Sequence, residues 1–156
     1  MTDFFLRVNM LAPQRVREAH PEVRRFIKFA IVGAIGAVVD YAVLFVLVFA
    51  FGVAEEYANL VSVTCAVISN FTWNRLWTFP ESQDHALHSQ FAQFAGVNLI
   101  GLVINEVVLL ATDHWIFEPA FHDQKIALGL AKACAICVVL FWNFGANRLT
   151  TYRNIK

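Results

Sequence analysis

Asparagine and arginine recur twice in one arrangement. Asn70 and Asn74 are followed by Arg75, and Asn143 and Asn147 are followed by Arg148. On a helix, residues four apart share a face, so each asparagine pair projects from one side with an arginine beside it. A guanidinium fork with amide donors is the set that holds a phosphate or diphosphate head group. An arginine that only marks a membrane boundary explains the charge, but not two amides beside it, twice. Phosphate or lipid head-group binding is therefore the reading of Arg75, Arg148, Asn70, Asn74, Asn143 and Asn147.

A second set of polar residues lies inside apolar runs. Gly33, Gly36 and Asp40 are spaced to form one small helical face, and Asn98, Gly101 and Asn105 repeat it. Close helix packing explains the glycines but not the carboxylate. Asp40 lies about 18 Å from Lys28 at the helical rise, near the middle of a membrane. An ionisable group there is costly and points to function, the alternative being a hydrogen-bonded structural aspartate. Glu106 and Lys132 each fall about six residues, roughly 9 Å, inside the outer ends of adjacent helices. They are expected to pair, either to neutralise two charges or to serve transport. Asn59, Ser62, Ala66, Ser69 and Trp73 recur at helical spacing as a polar stripe facing the bundle interior. A translocation path or coupling role is assigned to Asp40, Asn59, Asn98, Asn105, Glu106 and Lys132.

Other chemistries find no footing. His85 and His88 sit in a polar loop, and His114 and His122 flank acidic residues, without metal-ligand spacing in a defined element. Cys65, Cys134 and Cys137 lie in apolar runs and read as small buried side chains rather than a disulfide framework. No nucleophile–base arrangement and no phosphate-cradling glycine loop is present. The expectation is a protein that is not an enzyme, with no catalytic residue, metal, cofactor or nucleic-acid partner.

The elements that must position these residues follow from composition. The chain has 156 residues, 58% of them hydrophobic and 15% charged. A soluble domain of this size needs more polar surface. Four apolar runs, at about 29–51, 57–74, 91–112 and 126–147, each approach the roughly 17–25 residues that cross a bilayer core. They lack the alternation of barrel strands, so an all-α membrane protein with four transmembrane helices is predicted. The second run is the most polar of the four. Arg7, Arg15, Arg17, Arg24, Arg25 and Lys28 precede the first run, Arg75 follows the second, and Arg148, Arg153 and Lys156 follow the fourth. Positive residues mark the cytoplasmic side, so both termini are expected there, with the cytoplasmic membrane as the location. Residues 1–25 form a basic segment, without the apolar core of a signal peptide, suited to an anionic membrane surface.

The chain also repeats itself. Residues 70–79 and 143–152 both read N-F-x-x-N-R-L-x-T-aromatic, and Phe26-x-x-Phe29-Ala30 is echoed by Phe91-x-x-Phe94-Ala95. Two matches in the same order argue for duplication of one two-helix hairpin, 26–79 and 91–152, joined by a cytoplasmic linker at 80–90. Each hairpin crosses twice, so the repeats are parallel and related by a pseudo-twofold along the membrane normal, with a site expected where they meet.

These residues resemble the GtrA-like family of small four-span membrane proteins. The resemblance runs from about Arg25 to Arg153 and rests on F-I-K-F-A-I-V-G-A-I-G-A-V-V-D at 26–40, A-N-L at 58–60, N-F-T-W-N-R-L-W-T-F at 70–79 and N-F-G-A-N-R-L at 143–149. It implies flipping of a polyprenyl-phosphate-linked sugar across the cytoplasmic membrane for cell-surface polysaccharide synthesis. It carries over to Asp40, Asn70, Asn74, Arg75, Asn143, Asn147 and Arg148, and not to Glu106 or Lys132. The partners it implies are the lipid-linked sugar and membrane lipids. Two other readings compete: a small exporter of drugs or cations, and a non-transporting scaffold for a membrane glycosyltransferase. Four helices leave little room for a sugar-sized path, which makes a homodimer a natural arrangement.

Overall fold

The computed structural model describes residues 21–84, 86–121 and 123–152. The basic segment before Pro21, His85, His122, Arg153 and Lys156 therefore lie outside the described residues. The elements among the described residues are all helical, and the chain divides into two compact units after Asp84.

In the first unit, α1 runs Pro21–Phe45. It begins earlier than the apolar run, because Pro21 suits a first turn whose N–H groups lack helical partners, and Glu22 complements the positive helix end. A wide π-type turn, Val46–Ala50, continues it. Gly52 then stops it at φ 65°, a left-handed conformation that favours glycine, and Val53 N–H closes back on the Leu47 carbonyl at 2.9 Å. The second helix, α2, runs Glu55–Trp73 and ends in another π-type turn, Asn74–Thr78. There the Phe79 N–H reaches the Asn74 carbonyl at 2.8 Å. A 3₁₀ turn at Pro80–Asp84 follows, with Ser82 Oγ donating to the Phe79 carbonyl at 2.8 Å.

The seam between α1 and α2 is made by Phe29, Val32 and Gly36 on one side and Ala58, Ser62 and Ala66 on the other, all buried. The i, i+4 row of small residues on α2 lets the two backbones approach. This seam differs from the faces expected at two places. Gly33 is exposed while Gly36 is buried, and the α2 row runs through Ala58 rather than Asn59, which is exposed. The reason is angular: Gly33 follows buried Val32 and Asn59 follows buried Ala58, and successive residues on a helix are turned about 100° apart, which carries both away from the seam.

The second unit repeats the plan. Here α3 (Leu87–Thr112) runs on through a π-type turn, Asp113–Phe117, and one helical turn, Glu118–Ala120. Asp123 caps α4 (Gln124–Leu149) by accepting the Lys125 N–H at 2.9 Å. The seam is Gln90, Phe94, Val97 and Gly101 against Ala127, Ala131, Ala135 and Asn147. Trp142 Nε1 also donates to the Val97 carbonyl across it, at 3.3 Å.

Outside the seams the helices present large apolar side chains: Val38 is 69% exposed, Phe49 74%, Leu102 64% and Phe141 65%. Such surface is incompatible with water and matches lipid. Among the described residues, three segments are long and apolar enough to cross a membrane: Pro21–Ala50, Leu87–Ala120 and Gln124–Leu149. The fourth helix, α2, falls short of that composition, because Asn59, Ser62, Thr64, Ser69 and Asn70 dilute its apolar residues.

Candidate functional site

Each seam ends in the same cluster of polar side chains. In the first unit, a Cβ built on Gly36 would overlap the Asn70 amide, lying 2.5 Å from its Cγ. In the second, a Cβ on Gly101 would lie 2.6 Å from Asn143 Oδ1. A hydrogen at these two positions is what admits the asparagine into the seam. The Oδ1 atoms of both Asn70 and Asn143 are buried without a hydrogen-bond partner among the described residues.

One turn further on, the units diverge. Asn74 is 2% exposed and its Oδ1 has no partner among the described residues, nor has the Oγ1 of Thr78, also 2% exposed. At the matching positions Asn147 Nδ2 donates to the Asn143 carbonyl at 2.8 Å, and Thr151 Oγ1 donates to Asn147 Oδ1 at 2.9 Å. The second unit thus closes Asn147 and Thr151 on each other, while Asn143 Oδ1 stays open.

The two arginines are half-buried at the ends of these rows. Arg75 Nη2 donates to the Gln83 carbonyl at 2.8 Å, and Arg148 Nη1 to the Tyr152 carbonyl at 3.4 Å. Each guanidinium is fixed by the backbone that follows its helix, which sets the direction of its remaining N–H groups. Phe79 and Tyr152, which end the two motifs, are fully buried and anchor that backbone.

Asp40 lies one helical turn beyond Gly36 on the same face of α1, half-buried, with Oδ1 buried and unpartnered among the described residues. Asn105 holds the corresponding place on α3 and is also half-buried. Asn98 turns back on its own helix, Nδ2 donating to the Phe94 carbonyl at 2.8 Å. Asn59 leaves the seam and lines a cavity of about 520 Å³ near the turn that joins α1 to α2, together with Phe45, Phe49, Glu55 and Glu56.

Glu106 and Lys132 are not brought together. Both are exposed, and no ion pair joins them. Depth along the helix was matched but azimuth was not: Glu106 is turned about 140° from Gly101, away from the seam.

Lys28 was read from sequence only as part of a basic boundary, yet it is buried. Its Nζ donates to the Trp77 carbonyl at 3.2 Å and sits 5.3 Å from the centre of the Trp77 ring. Beside it, Arg25 bridges Glu22 at 2.6 Å and Glu81 at 3.2 Å. In the second unit Gln90 donates to the Thr151 carbonyl at 3.3 Å, again tying the first helix of the hairpin to the end of the second. The threonine of the repeated motif was the available signal for Thr78 and Thr151. Nothing in sequence marks Lys28 as buried.

The three cysteines are free. Among the described residues no three His, Cys, Asp or Glu side chains are grouped to hold a metal ion. The chemistry on offer is recognition: fixed guanidinium donors at a helix end, next to buried amide and hydroxyl groups.

Comparison with known proteins bears on what is recognised. The family described as "GtrA/DPMS, transmembrane domain" matches residues 28–152. A dolichol-phosphate mannosyltransferase of Pyrococcus furiosus is 31% identical over 131 residues, which is 84% of this chain and 33% of that protein. The chain thus spans about a third of the length of this relative.

Proposed function

The chain belongs to the GtrA/DPMS transmembrane-domain family, as a multi-pass membrane protein, and on that premise we propose that it moves a polyprenyl-phosphate-linked sugar across the membrane. The observation that carries the reading is the doubled helix end. Asn74 with Arg75, and Asn147 with Arg148, each pair a buried amide with a guanidinium held by the following backbone. A lipid phosphate calls for such donors. The relative acts in the same chemical territory, since dolichol phosphate is a polyprenyl phosphate.

In this proposal α2 is the fourth span. Its polarity does not prevent crossing, because Thr64 and Thr72 donate to the Leu60 and Ile68 carbonyls, each at 2.7 Å, and so are satisfied within the helix. The two hairpins are tandem parallel repeats with both termini in the cytoplasm, and the membrane is the cytoplasmic one. Arg75 and Arg148 capture the phosphate at the inner leaflet, the sugar passes the polar residues of the helices, and the prenyl tail stays in lipid. The protein does no covalent chemistry.

The second reading has the relative behind it. A match to one third of a mannosyltransferase suits a membrane domain that anchors or positions a glycosyltransferase. Native mass spectrometry of protein extracted gently from its membranes separates the two. Flipping predicts a bound polyprenyl-phosphate sugar that disappears in Arg75→Ala/Arg148→Ala. An intact protein without that lipid, co-purifying with a glycosyltransferase, would transfer the proposal to the anchoring role.

A further inference from the structure

Lys28 is the buried cation that phosphate capture leaves unused. It is 8% exposed on a helix that continues into the membrane, where an ammonium is costly unless well bonded. Its Nζ donates to the Trp77 carbonyl at 3.2 Å and stands 5.3 Å from the centre of the Trp77 ring. Trp77 belongs to the same π-type turn, Asn74–Thr78, as Arg75. A grip on its carbonyl is therefore a grip on the turn from which the Arg75 guanidinium projects.

The loop after that turn is held from α1 as well. Arg25, one turn before Lys28, reaches Glu81 at 3.2 Å, and Ser82 Oγ donates to the Phe79 carbonyl at 2.8 Å. Gln83 follows, and its carbonyl is the one that accepts from Arg75 Nη2 at 2.8 Å. Turn and loop thus meet α1 at two charged points, Lys28 and Arg25, and Arg75 is tied to the segment they hold.

The second hairpin shows what a neutral tie achieves. Gln90 donates to the Thr151 carbonyl at 3.3 Å, and Arg148 Nη1 reaches the Tyr152 carbonyl only at 3.4 Å. An amide is enough to join the two helices, so joining them does not explain an ammonium. A charged donor forms a bond roughly twice as strong, and the face of the Trp77 ring adds to its hold.

We infer that Lys28 is a positioning residue for Arg75: together with the Arg25–Glu81 pair it clamps the segment from Trp77 to Gln83, so that the guanidinium, anchored on the Gln83 carbonyl, keeps one aim toward a lipid phosphate. The phosphate end of this chain of contacts rests on the capture proposed above, whereas the clamp itself does not.

The test is nuclear magnetic resonance of the full chain, labelled with ¹⁵N-arginine, in mixed micelles, read beside its affinity for farnesyl phosphate by calorimetry. Loss of a signal in Arg75→Lys assigns the Arg75 guanidinium, whose Nη resonances stay resolved while it is held and merge when it rotates freely. Lys28→Met keeps the apolar stem and removes the ammonium. It is expected to merge the Arg75 resonances and to weaken farnesyl phosphate binding about tenfold, as for one lost charge-assisted hydrogen bond. Lys28→Arg still donates to the Trp77 carbonyl and lies on the ring, and is expected to restore both. In an Arg75→Ala background Lys28→Met is expected to lower the affinity no further, whereas a lysine that only stabilises the hairpin would lower it again. Glu81→Gln leaves the buried contact intact and decides the matter should Lys28→Met not fold. It is expected to broaden the Arg75 resonances and weaken binding about twofold, an effect that fades at high salt. Arg75 resonances unchanged in both variants would overturn the clamp. Merged resonances with undiminished affinity would uphold the clamp and overturn phosphate capture by Arg75 instead.

Discussion

The two hairpins use the same backbone plan for different degrees of closure. Both bury an aromatic–valine–glycine face, Phe29, Val32 and Gly36 in one and Phe94, Val97 and Gly101 in the other. Both end with an aromatic N–H closing on an asparagine carbonyl five residues back, Phe79 on Asn74 and Tyr152 on Asn147, each at 2.8 Å. The side chains of those asparagines differ. Asn147 is bonded through both its nitrogen and its oxygen, whereas Asn74 keeps a buried oxygen without a partner among the described residues. Asn70 Oδ1 and Asn143 Oδ1 are left over alike, so the difference between the hairpins lies one turn further on, at Asn74 and Thr78 against Asn147 and Thr151.

The largest expected effect breaks the feature the hairpins share. Gly36→Ala drives a methyl group into the Asn70 amide and is expected to destabilise the first hairpin by about 1–3 kcal/mol, the usual range for overpacking. Gly101→Ala meets mainly one oxygen and should cost less. Pairing Gly36→Ala with Asn70→Ala should recover most of the loss, whereas Gly33→Ala, which meets nothing within 4 Å, should be neutral or stabilising. Unfolding in mixed micelles with increasing SDS measures all four, and equal costs at positions 33 and 36 would contradict the seam.

A sharper comparison removes the asparagines themselves. Asn147→Leu strands the Thr151 hydroxyl and breaks two hydrogen bonds, an expected loss of about 1–3 kcal/mol. Asn74→Leu removes an oxygen with no partner among the described residues and should cost clearly less in the same assay. Equal costs would mean that the two clusters are equally closed, and the reverse ranking that Asn74 is the more firmly bonded. The smallest effect belongs to the rim. Glu81→Gln removes a half-exposed partner of Arg25 and is expected to cost about 0.2–1 kcal/mol, fading as salt rises.

Much of this was legible in the sequence, for reasons visible in particular residues. The four helices follow from long apolar runs broken by Gly52 and by polar loops, and the recurrence of Asn, Arg and Thr announced two related helix ends. Depth in the membrane could be counted off residue by residue, but direction around a helix could not. That is why Glu106 and Lys132 were expected to meet and do not, and why Asn59 faces a cavity near the α1–α2 turn instead of the seam. Burial of Lys28 depends on the Trp77 ring and carbonyl, 49 residues away in sequence. The loop carbonyl that holds Arg75 is likewise a tertiary contact with no local signature. The polarity of α2 was visible from the start, and it is what separates three strongly apolar segments from four helices.

The most direct test of phosphate capture is translocation of a polyprenyl-phosphate sugar in proteoliposomes, with Arg75→Ala and Arg148→Ala assayed singly and together. The account predicts a rate lowered about tenfold or more by each change, in keeping with the loss of a charge-assisted hydrogen bond, and no protein-dependent movement in the double variant. Wild-type rates in the double variant would contradict it.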